Sequence, residues 1–254
     1  MLSRVNVSGV AVFVLGLALW EVLVRTGLLT FTYLPAPTEV AVGLAEVVEN
    51  GELPSALAHT VTAALAGWAL AGLAGVAAGS LLGLVRWVWM YSMASLEALR
   101  ALPIVAFVPV AVLLFGFSVQ TEIIVAFYAA LWPILLNTIA GMRTKDRLVE
   151  TGRVLRLSRA AVLWKIRLPA ATANIVVGLR LGLSTSLVLT LVAEMVGNPA
   201  GLGFLLVSKG QALQPGHMFA GVVVIGVTGI VLNAIVLGLA RLVFRGQLTS
   251  AGEV

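Results

Sequence analysis

The chain has 254 residues, of which 60% are hydrophobic and 11% charged, and its mean hydropathy is +1.07. Soluble domains carry about 25% charged residues, so this composition excludes an ordinary soluble protein and indicates one polytopic membrane domain. The net charge of +5 would also fit a nucleic-acid binder. We reject that class because the charge lies in loops between apolar runs, where the positive-inside bias of membrane proteins explains it. Cysteine is absent, which excludes disulfides and thiolate chemistry.

The hydrophobic runs predict an all-α integral membrane protein with about six transmembrane helices. The predicted spans are residues 7–24, 59–85, 102–117, 122–140, about 175–196 and 218–244. Arg4 ahead of the first run also fits a signal peptide, but Trp20, Glu21 and the lack of a small-x-small cleavage site favour an uncleaved span. We treat residues 1–254 as a single transmembrane domain with its core at about 55–245.

The second run carries a small residue at every fourth position. The stripe consists of Gly67, Ala71, Gly75, Gly79 and Gly83. Such a smooth face lets another helix approach closely, so we interpret it as a packing surface with no function of its own.

The longest polar interval is the 27-residue stretch 143–169, which holds 8 of the 16 Lys and Arg residues. The eight are Arg143, Lys145, Arg147, Arg153, Arg156, Arg159, Lys165 and Arg167. A basic loop between spans resists translocation, so it is expected on the cytoplasmic side. Six spans with both termini inside place 13 of the 16 basic residues there. Arg180, near the start of the predicted fifth span, is expected to reach the cytoplasmic interface by snorkelling.

Within this loop, Glu150-Thr151-Gly152 and, after a spacer, Ile166-Arg167-Leu168-Pro169 resemble the EAA loop of ABC importer permeases, whose pattern is E-A-A-x3-G-x9-I-x-L-P. Further stretches resemble the sulfonate/nitrate/taurine branch of that family, in the same order along residues 30 to 245. They are Leu34-Pro35-Ala36-Pro37, Leu99-Arg100-Ala101-Leu102-Pro103, residues 132–138, Gly178-Leu179-Arg180, Ala193-Glu194 and Gly201-Leu202-Gly203.

The resemblance implies a type I ABC importer (MetI-like) permease architecture, in which short cytoplasmic coupling helices fit a groove on an ATPase dimer. The expected coupling residues are Glu150, Thr151, Gly152, Arg153, Leu155, Arg156, Ile166, Leu168 and Pro169. It further implies a bacterial inner-membrane location, an external solute-binding protein, a second permease subunit, and ATP and Mg bound by the partner ATPase. This chain itself needs no cofactor, metal or nucleic acid. The implied solute is small and often anionic.

The loop departs from the family pattern at two places. Thr151-Gly152 replaces Ala-Ala, and Arg156 replaces the turn glycine. If that position needs a positive φ, a non-glycine residue there costs on the order of 1 kcal/mol. The loop would then turn differently or run as a more continuous helix. The departures also leave open whether the second permease subunit is a copy of this chain or a different, more regular one. Pro169 is expected to end the loop, because proline blocks helix continuation.

For the translocation pathway, the fifth span offers Ser186, Thr190 and Glu194 at four-residue intervals, on one helix face. Either these residues line a pathway, or they allow tight packing while Glu194 fixes the outer loop. Asn137 is a further pathway candidate, with a helix-to-helix hydrogen bond as the alternative.

No catalytic motif is present, and the phosphate loop G-x4-G-K-[ST] is missing, so ATP hydrolysis is expected in a separate subunit. The competing function is an ion-coupled secondary transporter or channel. Such a protein would need coupling-ion residues at midmembrane and discontinuous helices in matching halves. A membrane-embedded enzyme is a second alternative, for which the chain supplies few titratable residues.

Overall fold

The computed structural model describes residues 7–143 apart from 30 and 32, residue 154, residues 156–196 and residues 198–243. These residues form helices and, within the described ranges, no strand. The helices are α1 (Val7–Arg25), α2 (Pro37–Glu49), α3 (Glu52–Leu84), α4 (Arg86–Arg100), α5 (Ile104–Phe115), α6 (Val119–Arg143), α7 (Arg159–Val162), α8 (Leu168–Met195), α9 (Gly201–Gln211) and α10 (Pro215–Val243). A π-helical turn, Leu163–Arg167, joins α7 to α8, so residues 159–195 run as one continuous helix.

Three long helices, α3, α6 and α8, form the core. Helix α8 runs antiparallel to α3, since the Ser186 hydroxyl donates to the Ala64 carbonyl at 2.7 Å and the Trp68 indole donates to the Leu179 carbonyl at 2.9 Å. These side-chain to main-chain bonds satisfy polar groups that would otherwise be buried without partners.

The small-residue stripe of α3 packs directly on α6, which confirms its prediction as a packing surface. A Cβ added to Gly67 would lie 2.5 Å from the Ala126 Cβ, and one added to Gly83 would lie 2.5 Å from the Met142 Cβ. Gly79 faces Thr138 in the same register, with a corresponding distance of 2.7 Å. The backbones are therefore too close for a larger side chain, and the constant offset of 59 residues means that α3 and α6 run parallel.

Parallel α3 and α6 require the connection between them to return along the bundle. That connection is the pair α4 and α5, bent by 82° at residues 101–103. Pro103 immediately precedes α5 and has an extended backbone, which accounts for the break. The prediction of a span at residues 102–117 is corrected accordingly, since α5 has only 12 residues and about 18 Å of length. Five described helices are long and apolar enough to cross a membrane, or six with the bent pair as one crossing.

The intervals predicted to be polar connections contain helices of their own. Helix α2 begins with Pro37 in its first turn, and the Glu39 carboxylate accepts a 3.0 Å hydrogen bond from the Ala36 amide. It packs on the start of α10, where a Cβ added to Gly43 would lie 2.7 Å from the Gly216 carbonyl carbon. Helix α9 lies in the segment after α8. Helix α1 stands apart from the core, with none of its span buried.

Candidate functional site

A polar cluster centred on Glu194, whose side chain is 0% exposed, lies at the end of the core where α3 and α6 begin and α8 finishes. We call this end the outer end, after the side of the membrane predicted for it. One carboxylate oxygen accepts a 2.7 Å hydrogen bond from the Thr60 hydroxyl, and the other accepts a 2.8 Å bond from the Gly203 amide. The Thr60 hydroxyl in turn accepts a 2.8 Å bond from the Leu202 amide. Two free amides at the start of α9 are thus satisfied by side chains from α3 and α8, which ties α9 to the core.

A second carboxylate, Glu122 at the start of α6, is 1% exposed and lies beside the first. The His59 Nε2 atom lies 2.9 Å and 3.1 Å from its two oxygens, and the Asn198 amide nitrogen donates to one of them. Asn198 stands between α8 and α9, so Glu122 also holds the chain that leads into α9. We call His59, Thr60, Glu122, Glu194 and Asn198 the outer cluster.

The imidazole of His59 and the carboxylates of Glu122 and Glu194 offer ligand atoms that all lie within 4.8 Å of one another. This is a donor set of the kind that divalent cations bind. Each group, however, already has hydrogen-bond partners within the chain, and those bonds account for the arrangement. The sequence did not indicate this cluster, because residues 59, 122 and 194 are far apart along the chain. The only local signal for the cluster was that each of three separate apolar runs has a titratable residue close to one end.

Gly201 is required for the close approach of α9 to Glu194. Its φ is +89°, a conformation that L residues with a side chain rarely adopt, and an added Cβ would overlap the Glu194 carboxylate. Beside it, a half-open pocket of about 420 Å³ is lined by residues of α3 and α9, with His59 on its wall.

The predicted pathway residues on α8 point into the core in this conformation. Ser186, Thr190 and Glu194 are each 0% exposed, and the Thr190 hydroxyl donates to the Ser186 carbonyl at 3.0 Å. Asn137 donates to the Pro133 carbonyl at 2.8 Å on its own helix. The geometry favours the packing alternative for the three residues of α8, and it gives Glu194 contacts that fix the segment after α8. The Asn137 bond stays within α6 and is not the helix-to-helix bond given as its alternative. The role of all four residues in a pathway stays a prediction.

The opposite end of the core, which we call the inner end, holds the described part of the predicted coupling segment. Glu150, Thr151, Gly152, Arg153 and Leu155 lie outside the described residues. Arg156 has a φ of +54°, so the position of the family's turn glycine does adopt the left-handed conformation although an arginine occupies it. The sequence left open a different turn or a more continuous helix. The structure shows neither at Arg156, which keeps the left-handed conformation expected of a turn glycine.

Ile166, Leu168 and Pro169 lie within the continuous helix of residues 159–195, so the expected turn of the chain at Pro169 is wrong. The π-helical turn supplies the physical reason. In it the Leu168 amide donates to the Leu163 carbonyl, five residues back. This wider turn accommodates the proline, which has no amide and whose ring would clash with the Lys165 carbonyl in a regular α-helix. The helix therefore continues from the loop into the core without a break.

The helix that contains Arg180 begins at residue 159 and not at about 175 as predicted, so Arg180 lies deeper in the bundle than expected. It lies about 20 Å along the helix from Arg167 and about 22 Å from Met195. Trp68, the central residue of α3, donates to the carbonyl next to Arg180, at Leu179. Arg180 is therefore at the middle of the bundle, and the expectation that it reaches the cytoplasmic interface is wrong.

Comparison with known proteins supports the family suggested by the loop. Residues 71–248 match the model of the family described as binding-protein-dependent transport system inner membrane component. The chain is 31% identical over 226 residues to the putative aliphatic sulfonates transport permease of Bacillus subtilis, covering 89% of this chain and 82% of that protein. It is 28% identical over 238 residues to the taurine transport system permease of Escherichia coli, covering 91% and 86%.

A third relative is the bicarbonate transport system permease of Synechococcus elongatus, 30% identical over 244 residues, with 91% of this chain and 87% of that protein covered. The family model matches residues 71–248, which is more than half of the chain. The chain belongs to the family of inner-membrane components of binding-protein-dependent transport systems.

Proposed function

We propose that this chain is the permease subunit of an ATP-driven ABC importer and that its loop of residues 143–169 binds a cytoplasmic ATPase dimer. The observation that carries the proposal is the unbroken helix of residues 159–195. It is about 55 Å long and leads from the loop to Glu194 in the outer cluster. A rigid helix transmits a displacement at one end to the other, so movement of the ATPase would reach the segment that holds α9.

The distribution of charge supports an orientation with this loop in the cytoplasm. Arg86, Arg143, Arg167 and Arg241 lie at the end of the bundle where α3, α6 and α10 finish and the helix of α8 starts. At the opposite end, α2 and the start of α3 present Glu46, Glu49 and Glu52, all of them exposed. Since positively charged segments resist translocation, the basic end is the inner one and the chain is a multi-pass protein of the bacterial inner membrane.

The described part of the loop exposes apolar side chains together with positive charge. Val154 is 82% exposed and Trp164 is 67% exposed, and Arg156 and Lys165 are exposed beside them. A partner groove with an apolar floor and an acidic rim would cover such a surface, with the tryptophan as its main anchor. We infer that the ATPase covers it, and that Glu150 at the start of the loop completes the contact.

The solute is proposed to be a small anion delivered by an external binding protein, since relatives are named for sulfonates, taurine and bicarbonate. A second permease subunit would complete the pathway, as a homodimer or as a heterodimer. The outer surface formed by α2 and α9 is where the binding protein would contact this chain.

Purification of the tagged protein in mild detergent from its native host tests the proposal. We expect a stoichiometric ATPase to remain bound and to be lost in Glu150→Lys. The matched control is Glu49→Lys, the same charge reversal at the outer end, which should keep the ATPase. A preparation without ATPase that still accumulates solute in liposomes under an ion gradient would replace the proposal with a secondary transporter. Any second permease in the complex decides the dimer type.

A further inference from the structure

Arg180 at the middle of α8 carries a positive charge that the described chain does not neutralise. Its side chain is half-buried, and its one hydrogen bond among the described residues runs from Nε to the Asn233 Oδ1 atom of α10, at 2.9 Å. No carboxylate of the described residues lies within ion-pair distance of it; the four ion pairs found there involve other residues. The two terminal nitrogens of its guanidinium therefore have no partner within the described part of the chain.

The buried carboxylates of the core are too far away to compensate this charge. Glu194 lies fourteen residues further along the same helix, which corresponds to about 21 Å. Glu122 belongs to the same outer cluster and is paired with His59. An ionisable residue at this depth is costly unless it faces a partner or a water-filled cavity, and such residues mark substrate or ion pathways.

Helix α8 has two different faces, and Arg180 stands at the edge of the uncovered one. The face with Ser186 and Thr190 is buried against α3. The other face has exposed side chains at every third or fourth position, namely Val177, Leu181, Ser184 and Val188. A membrane-helix face left open within one chain faces lipid, another subunit or a water-filled space, and an ionised arginine at its edge favours the last two.

Asn233 fixes how the guanidinium is presented. A hydrogen bond through Nε leaves Nη1 and Nη2 on the far side of the planar group, where they form part of the fork that matches the two oxygens of a carboxylate-like anion. A lysine would offer a single ammonium without this shape. The arrangement is that of a preoriented anion receptor and not of an arginine whose bonds are all used to hold the fold together.

We propose that Arg180, oriented by Asn233, is the residue that binds the solute anion halfway across the membrane, on the open face of α8. This deepens the proposed function and rests on it. The ligand class is a small oxyanion such as a sulfonate or bicarbonate, whose oxygens accept from the terminal guanidinium nitrogens. The pathway then follows Arg180 and Ser184, and not the buried Ser186 face on the opposite side of the same helix.

The absence of native cysteine allows a direct test on the assembled importer with its ATPase. Ser184→Cys, one turn from Arg180, is treated with two methanethiosulfonate reagents of similar size, one ending in a sulfonate and one in a trimethylammonium group. We expect the sulfonate reagent to react faster, relative to a free thiol in solution, and external ethanesulfonate to slow its reaction. In Arg180→Gln this preference should disappear. Ser186→Cys, on the buried face of the same helix, is the control and should react with neither reagent.

Two results of this labelling would overturn the proposal. One is a Ser184→Cys that reacts with neither reagent, which would show that the open face of α8 is not accessible to water. The other is an unchanged preference for the sulfonate reagent in Arg180→Gln. If Arg180→Gln does not assemble, the preference and the protection measured with Arg180 in place still decide between the alternatives.

Uptake into proteoliposomes with ATP inside and the binding protein of the native host outside gives an independent readout, with ethanesulfonate and bicarbonate as the tested anions. Arg180→Gln should lower uptake on the order of tenfold or more, as expected for the loss of a charge-assisted contact. Uptake by Arg180→Lys should lie between that of wild type and that of Arg180→Gln. Uptake by Arg241→Gln, at the inner end, should stay close to wild type. A wild-type complex that binds its ATPase but transports neither anion overturns the Arg180 proposal alone. A wild type without ATPase overturns the proposed function.

Discussion

The Thr60 hydroxyl donates a 2.7 Å hydrogen bond to the Glu194 carboxylate, which joins the outer ends of two core helices through residues 134 positions apart in the sequence. The same hydroxyl accepts from the Leu202 amide, so a single small side chain connects α3, α8 and the start of α9. The segment that closes the outer end of the bundle is therefore held by α3 and by the helix that leads to the coupling loop.

Thr60→Val should lower thermal stability and loosen α9. The substitution keeps the shape of the side chain but leaves the buried Leu202 amide without an acceptor, at a cost of about 1–3 kcal/mol. For a chain of this size we expect the melting temperature in detergent to fall by roughly 2–4 °C per kcal/mol. Thr60→Ser keeps the hydroxyl and is the control. Equal melting temperatures for Thr60→Val and wild type would show that the hydroxyl bridge does not contribute.

Gly79→Ala should disrupt the contact between α3 and α6. The added Cβ would lie 2.7 Å from the Thr138 Cβ and 2.9 Å from the Leu135 carbonyl oxygen, so the helices must separate. Overpacking of this kind costs about 1–3 kcal/mol. Gly238→Ala on α10 is the matched control, because nothing lies within 4 Å of its added Cβ.

Helix propensity alone favours alanine over glycine by about 1 kcal/mol, so Gly238→Ala should be neutral or stabilising. The two variants are compared by yield of monodisperse protein and by melting temperature. A Gly79→Ala protein as stable as Gly238→Ala would contradict the close packing of α3 on α6.

Arg156→Gly should be tolerated and should stabilise the coupling loop slightly. Arg156 has a φ of +54°, and glycine adopts this conformation without the penalty of about 1–2 kcal/mol that other residues incur. We expect ATPase binding to the complex to be equal or tighter. Arg156→Val, β-branched at the same position, should weaken it. Loss of assembly in Arg156→Gly would show instead that the guanidinium makes a specific contact with the ATPase.

Pro169→Ala should change how the loop is coupled to the core without preventing assembly. With an amide at position 169, the π-helical turn can become a regular α-helix, which rotates everything before it by about 100° relative to α8. Ile166 and Trp164 would then face a different direction. The number of solute molecules taken up per ATP hydrolysed should fall.

Pro37→Ala, in the first turn of α2, is the control for Pro169→Ala, since a proline there interrupts no helical hydrogen bond. The ratio of uptake to hydrolysis should be unaffected by it. An unchanged ratio in Pro169→Ala as well would mean that the π-helical turn has no part in coupling.

The hydrophobic runs and the stripe of Gly67, Gly75 and Gly79 predicted five of the crossings and one helix contact correctly, because length, hydropathy and residue size are local properties. The third crossing was placed on residues 102–117 alone, since hydropathy does not reveal that α3 and α6 are connected by two helices, α4 and α5, with a sharp bend between them. The turn expected at Pro169 was wrong for a similar reason, as a π-helical turn that absorbs a proline has no composition of its own.

The amino-acid sequence by itself determined the class of protein, the approximate spans, the basic loop and the family, since each depends on a pattern within a few tens of residues. Only the tertiary structure decided which polar side chains meet. His59, Glu122 and Glu194 come together because three helices end at the same level. Arg180 lies at midbundle because its helix begins at residue 159 and Trp68 fixes its level. The physical reason is that the face and depth of a buried helix are set by packing against partners distant along the chain.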